Sequence, residues 1–167
     1  DEIIQQVKEP VAARTTRFFE TRNCFKSKDL EAWRALNAPV QPLWRILIEN
    51  PTENLILLTN KNLDATISLS NHFGLKISED NVYSGDNGTT KIENMTRIMQ
   101  RFRKPAYVFI DDSVKNLREL DVHFNRKDKT ISLIFATWGY TGPDDARMAQ
   151  VYGYQVVTID EFADSMI

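Results

Sequence analysis

The spacing of hydrophobic residues in this chain changes near residue 38. Before that point, apolar residues recur at three- and four-residue steps, which is typical of helices with one buried face. Pro10 interrupts this pattern and predicts a kink or two short helices. A further helix is predicted over residues 27–36, with Ser27 or Asp29 as its N-cap. Residues 1–37 are therefore predicted to form a helical segment.

After residue 38 a helix is predicted between Pro42 and Pro51, and short apolar runs then alternate with helical patterns. The predicted strands are residues 55–58, 81–84, 107–110, 130–135 and 154–159. The predicted helices are residues 64–72, 91–103, 113–120 and 144–152, followed by a terminal turn over 160–166. The first run, Leu55 to Leu58, is continuous, as a strand buried on both faces requires. This alternation predicts an α/β core over residues 38–167, a Rossmann-like parallel sheet flanked by helices.

Composition limits the classes of partner. The 167 residues carry a formal net charge of -2, with a pI of about 5.7, so no basic surface for nucleic acid is indicated. No run approaches the roughly 18 apolar residues of a membrane span. The single Cys24 excludes an internal disulfide and favours a reducing compartment such as the cytoplasm. The sequence makes no prediction of the oligomeric state.

Two adjacent carboxylates, Asp111 and Asp112, directly follow the apolar run over residues 107–110. Like charges placed together at a strand end repel each other, and a bound Mg²⁺ would relieve that repulsion. The alternative is that both acids are solvated and begin the next helix, where the helix dipole favours them.

Other polar residues occupy equivalent places along the chain. Thr59 and Asn60 follow the first strong strand, and Lys91 opens a helix. Strand ends of one sense lie at one edge of a parallel sheet, so these groups and the two carboxylates are expected to converge. A hydroxyl, an ammonium and a carboxylate pair suit a phosphate and its metal.

The order and the amino-acid sequences of these segments resemble the motifs of the haloacid dehalogenase-like hydrolase superfamily. Leu55-Ile-Leu-Leu-Thr-Asn60 resembles its second motif, Lys91 its third, and Val108-Phe-Ile-Asp-Asp-Ser-Val-Lys-Asn116 its fourth. The similarity covers roughly residues 40–163.

The resemblance implies a Mg²⁺-dependent hydrolase of phosphate monoesters that acts on a small phosphorylated molecule through an aspartyl-phosphate intermediate. It assigns Thr59 and Asn60 to substrate binding and Lys91 to the nucleophile and the phosphate charge. Asp111 and Asp112 are assigned to the metal. Asn116 stands where many members carry a third acid, and either acts through a water or caps the helix.

The first motif of that superfamily, a strand ending in Asp-x-Asp, is not visible in the sequence. One interpretation makes Asp1 the second acid of that motif, a metal ligand and general acid/base, with the nucleophile just upstream and residues 2–37 as a small cap. Alternatively, Asp1 is a frayed terminus and the chain is a catalytically inactive binding or scaffold domain.

Two aromatic residues, Trp138 and Tyr140, flank Gly139 in the loop that follows the fourth predicted strand. They either line the mouth of a substrate site or pack within the loop.

Overall fold

The structure, a computed structural model, describes residues 11–165. The chain divides into two compact units, Asp1–Pro39 and Val40–Ile167. The predicted kink at Pro10 and the predicted catalytic and metal residue Asp1 lie outside the described residues.

The described part of the first unit consists of helix α1 (Val11–Lys28) and helix α2 (Leu30–Ala35). Asp29 is the N-cap of α2, because its carboxylate accepts the backbone N–H of Ala32 at 2.9 Å. Ser27, the alternative cap, instead lies inside α1. Trp33 of α2 is buried, and the ammonium of Lys26 lies over its ring. The helical character predicted for this segment is therefore observed from residue 11 onward.

The second unit alternates helices and strands, which confirms the predicted mixed α/β class. Its elements are α3 (Gln41–Glu49), β1 (Leu57–Leu58), α4 (Leu63–His72), β2 (Val82–Tyr83), α5 (Lys91–Phe102), β3 (Tyr107–Asp111), α6 (Val114–Phe124), β4 (Ile131–Ala136), α7 (Asp145–Val151), β5 (Gln155–Val157) and α8 (Ile159–Ser165). The predicted terminal turn is thus the helix α8. No helix within residues 11–165 is long and apolar enough to cross a membrane.

The five strands found within residues 11–165 form two parallel sheets, whereas the sequence predicts one. The first sheet pairs β1 with β2, and the second has the order β3-β4-β5. The predicted first strand is shortened, because the backbone N–H of Leu55 donates to the carbonyl of Thr52 in a turn. Leu57 and Leu58 are half-buried, so β1 is not buried on both faces as predicted.

The hydrophobic core of the second unit is centred on β4. Ile131 and Phe135 of this strand are completely buried, as are Leu117 and Leu120 of α6. Met95 and Ile98 of α5 and Ala149 of α7 belong to the same cluster. The core therefore fixes α5 and α6, the helices whose N-termini lie beside the ends of β2 and β3.

We expect Leu120→Ala to lower the free energy of unfolding by about 2–5 kcal/mol, because it leaves a cavity in a fully buried position. Urea denaturation followed by circular dichroism measures this loss. The control is Val151→Ala, which removes an exposed side chain and should change stability by less than about 0.5 kcal/mol. Equal effects of the two substitutions would contradict the assignment of the core.

Candidate functional site

The candidate site is built around the side chain of Lys91, the first residue of α5. Its ammonium Nζ lies 2.9 Å from Oδ2 of Asp111, the last residue of β3. The same Nζ donates to the carbonyl of Leu58, the last residue of β1, at 3.4 Å. Lys91 therefore bonds to the carboxyl ends of both sheets. This convergence of Lys91 and Asp111 was predicted from their positions at a helix start and a strand end.

The Lys91–Asp111 ion pair is shielded from water. The side chains of Lys91 and Asp111 are only 10% and 8% exposed. The ammonium also lies 5.6 Å from the centroid of the Phe109 ring, a distance at which a cation is attracted to an aromatic face. Charges in such surroundings interact more strongly than charges in water.

The second oxygen of Asp111 is held by the start of α6. Oδ1 accepts the backbone N–H of Ser113 at 2.8 Å and the side-chain amide of Asn116 at 3.0 Å. The hydroxyl of Ser113 caps α6 by accepting the N–H of Asn116. Asn116 therefore orients the Asp111 carboxylate directly, a role that neither sequence interpretation of this residue anticipated.

The hydrogen-bond partner of Asp112 differs from those of Asp111. Its Oδ2 accepts the backbone N–H of Tyr140 at 2.7 Å. A Cβ on Gly139 would lie 2.0 Å from the same oxygen, so only glycine permits this approach. Asp112 lies just beyond the last residue of β3, where the chain bends, and its partner belongs to the loop that follows β4.

The predicted substrate residues Thr59 and Asn60 directly follow Leu58. The N–H of Thr59 donates to the carbonyl of Tyr83 and extends the pairing of β1 with β2. The Thr59 hydroxyl oxygen accepts the N–H of Lys61 at 3.1 Å, and its own proton has no acceptor among residues 11–165. Gly85 lies against the backbone of Asn60, since a Cβ on Gly85 would lie 3.3 Å from it.

A polar cluster not identified from the sequence ties β2 to the adjacent helices. Oδ2 of Asp86 accepts the Ser84 hydroxyl at 2.7 Å and the N–H of Leu63, at the start of α4, at 2.8 Å. Buried Asn94 of α5 donates to the carbonyl of Ser84 at 2.7 Å. The sequence alone does not distinguish Asp86 as a site residue, because an acid between glycines is the usual composition of a turn.

A capping box begins α5 immediately before Lys91. The Thr90 hydroxyl accepts the N–H of Glu93, and the Glu93 carboxylate accepts the N–H of Thr90 at 2.7 Å. The backbone N–H of Thr90, aided by its hydroxyl, lowers the pKa of Glu93 below the usual 4.5. This cap fixes the backbone from which the Lys91 side chain extends.

The Asp111 and Asp112 carboxylates have few acceptor positions left for a cation. Three of the roughly four acceptor positions of a carboxylate are occupied at Asp111. Oδ1 of Asp112 has no hydrogen bond to the described residues, so each carboxylate can offer one oxygen. Mg²⁺ that keeps several of its waters fits so few protein oxygens. No group of three or more His, Cys, Asp or Glu suited to a metal occurs within residues 11–165.

The chain matches none of the protein-family models, curated proteins or solved structures with which it was compared. Membership of the haloacid dehalogenase-like superfamily therefore stays a prediction from the sequence motifs.

We expect Lys91→Met and Asp111→Asn to be strongly coupled in a double-mutant cycle. Each single change leaves a buried charged group without its partner and should cost about 3–5 kcal/mol, whereas the double change removes both charges. Urea denaturation should give a coupling energy above about 1 kcal/mol.

The matched control is the exposed pair Lys115–Glu119, whose charged atoms lie 3.8 Å apart. Its coupling, measured with Lys115→Met and Glu119→Gln, should stay below about 0.5 kcal/mol. Additive effects at Lys91 and Asp111 would show that the pair contributes no specific interaction.

The cap of α5 predicts a pH dependence of stability. Because folding lowers the pKa of Glu93, its contribution is present above pH 4.5 and is lost as the pH falls through the lower pKa of the folded state. Glu93→Gln keeps a capping acceptor without a titrating group. The stability difference between the native protein and this variant should therefore vanish on acidification in urea titrations from pH 7 downward. A difference that is independent of pH would contradict this role for Glu93.

Proposed function

We propose that the protein is a Mg²⁺-dependent hydrolase of phosphate monoesters, acting on a small phosphorylated molecule through an aspartyl-phosphate intermediate. The observation that carries this proposal is the shielded Lys91–Asp111 pair at the point where β1 and β3 end. Open α/β folds bind ligands at such an edge. The sequence motifs in the order of the haloacid dehalogenase-like superfamily support the same proposal.

Lys91 is proposed to neutralise the charge of the phosphoryl group. An ammonium offers three hydrogen-bond donors, and two oxygens of the described chain, on Leu58 and Asp111, accept from it. The remaining donor suits a phosphate oxygen. A positive charge fixed in place before the reaction stabilises the charge that develops in the transition state.

Thr59 and Asn60 are proposed to hold the phosphoryl oxygens from the neighbouring strand end. The Thr59 hydroxyl, already oriented by the N–H of Lys61, donates its proton to one of these oxygens. Asp111 and Asp112 are proposed to hold the Mg²⁺, which would supply further neutralisation of the phosphate charge. Asn116 and Ser113 keep the Asp111 carboxylate oriented for this role.

The nucleophile is proposed to lie on a strand between β1 and β3, which would join the two sheets into one Rossmann-like sheet. Each of these strands has an edge that pairs with no strand in the part of the chain that the structure describes. Unpaired backbone groups at such edges favour a further strand. The contacts of one Lys91 ammonium with both strand ends support their proximity.

The proposed reaction has two steps. A carboxylate oxygen attacks phosphorus, the ester P–O bond breaks, and Asp1 as general acid gives a proton to the leaving oxygen. Asp1 as general base then takes a proton from water, which attacks phosphorus and releases inorganic phosphate and the carboxylate.

A second candidate function is a binding or scaffold domain without catalysis. It is favoured by the hydrogen bonds of Asp111, since Lys91, Ser113 and Asn116 occupy three of its roughly four acceptor positions. This alternative predicts phosphate binding without turnover.

Hydrolysis of phenyl phosphate by the full-length gene product tests the proposal. We expect phosphate release with Mg²⁺ and none after chelation with EDTA. Lys91→Met should lower kcat/KM by about 10² or more, because one preorganised charge is lost, whereas Lys91→Arg should retain much more of the rate.

Lys115→Met, which removes an exposed ammonium, is the control and should leave the rate unchanged. Circular dichroism of each variant verifies folding. A folded protein that binds phosphate but releases none from the ester would favour the scaffold function.

A further inference from the structure

The loop between β4 and α7 carries a completely exposed aromatic side chain, that of Tyr140. Single exposed apolar residues are common on protein surfaces, so exposure alone indicates nothing. Tyr140 differs in its attachment, because its backbone N–H donates to the Asp112 carboxylate. Asp112 directly follows Asp111, so one hydrogen bond connects the loop tip to the candidate site.

The loop is fixed on both sides of Tyr140. Trp138 lies against Phe162 of α8, with ring centroids 5.6 Å apart. On the other side, the Asp145 carboxylate accepts the N–H of Gly142 at 2.7 Å. Trp138 thus packs within the molecule, whereas the side chain of Tyr140 projects into solvent from a backbone fixed by hydrogen bonds.

Gly139 makes this arrangement possible. Any side chain at residue 139 would collide with Asp112, since a Cβ there would lie 2.0 Å from Oδ2 and 2.4 Å from the Asp112 Cβ. The close approach of the loop to Asp112 therefore depends on the absence of a side chain at this position. The backbone is adapted to hold the tip of the loop beside the end of β3.

The chemistry of the tip differs from that of Lys91. Residues 139–143 are Gly, Tyr, Thr, Gly and Pro, without a charged side chain. Lys91 is suited to the charged phosphoryl group, whereas the ring of Tyr140 is suited to a flat, uncharged one. A tyrosine on a preorganised backbone loses little conformational entropy when it contacts a ligand.

We propose that Tyr140 is a specificity-determining residue that stacks on a planar aromatic or heteroaromatic leaving group of the phosphate monoester, with Asp112 and Gly139 as positioning residues. This inference rests on the proposed function for its substrate class. It adds to that function a preference for aromatic over small alkyl esters.

The test compares two probes that cannot be hydrolysed, phenylphosphonate and methylphosphonate, by calorimetric titration of the full-length protein with Mg²⁺. The native protein should bind phenylphosphonate more tightly, and Tyr140→Ala should reduce this preference about five- to tenfold, the range expected for one aromatic contact. Tyr140→Phe, which retains the ring, should keep the preference.

Variants of Gly139 and Asp112 test whether these residues position Tyr140. Gly139→Ala should abolish the preference although Tyr140 is intact, because Asp112 is displaced. Asp112→Asn, which retains an acceptor oxygen, should keep the preference, and Asp112→Ala should lose it. A uniform loss of affinity for both phosphonates would instead indicate a role confined to the phosphate or metal.

The outcomes separate this inference from the hydrolase proposal. A preference for phenylphosphonate that depends on Tyr140, without turnover of phenyl phosphate, would support the inference and overturn the hydrolase. Turnover combined with equal binding of the two phosphonates, or a preference unchanged in Tyr140→Ala, would overturn the inference alone. Binding of neither phosphonate would also overturn it.

Discussion

The ion pair between Lys91 and Asp111 is the interaction on which the rest of the site depends. Burial of two charges is costly unless they are paired and further hydrogen-bonded. Here Ser113 and Asn116 donate further hydrogen bonds to the Asp111 carboxylate. Because Lys91 also reaches Leu58, the same group connects β1 with β3. The pair therefore connects the ends of two separate sheets through one ammonium group.

The position of the pair is determined by ordinary features of the surrounding chain. The capping box at Thr90 and Glu93 starts α5 one residue before Lys91, and the buried face of this helix packs in the core around β4. The Lys91 side chain is thus fixed at its backbone by the cap and along its helix by hydrophobic contacts. The cap and the core contacts together hold the Lys91 charge in place before any ligand binds.

Much of the α/β architecture was predictable from the sequence, because apolar spacing reports directly whether a segment is extended or helical. The Gly74 helix end shows this well. Glycine directly after a helical pattern commonly ends the helix in a left-handed conformation, and Gly74 does so here with a φ of 84° and the N–H of Leu75 donating to the carbonyl of Ser70. The length of β1 and the division into two sheets were not predictable, since pairing depends on which strands lie alongside and on turns such as that at Leu55.

The sequence by itself determined the alternation of elements and the residue types at the strand ends, because both follow from local spacing. Only the tertiary structure decided their partners: Asp111 bonds to Lys91, 20 residues earlier, and Asp112 to the backbone of Tyr140, 28 residues later. Adjacent carboxylates that look like one pair in the sequence thus have different hydrogen-bond partners. The physical reason is that the packing of distant elements, which local spacing does not report, determines which groups lie against each carboxylate.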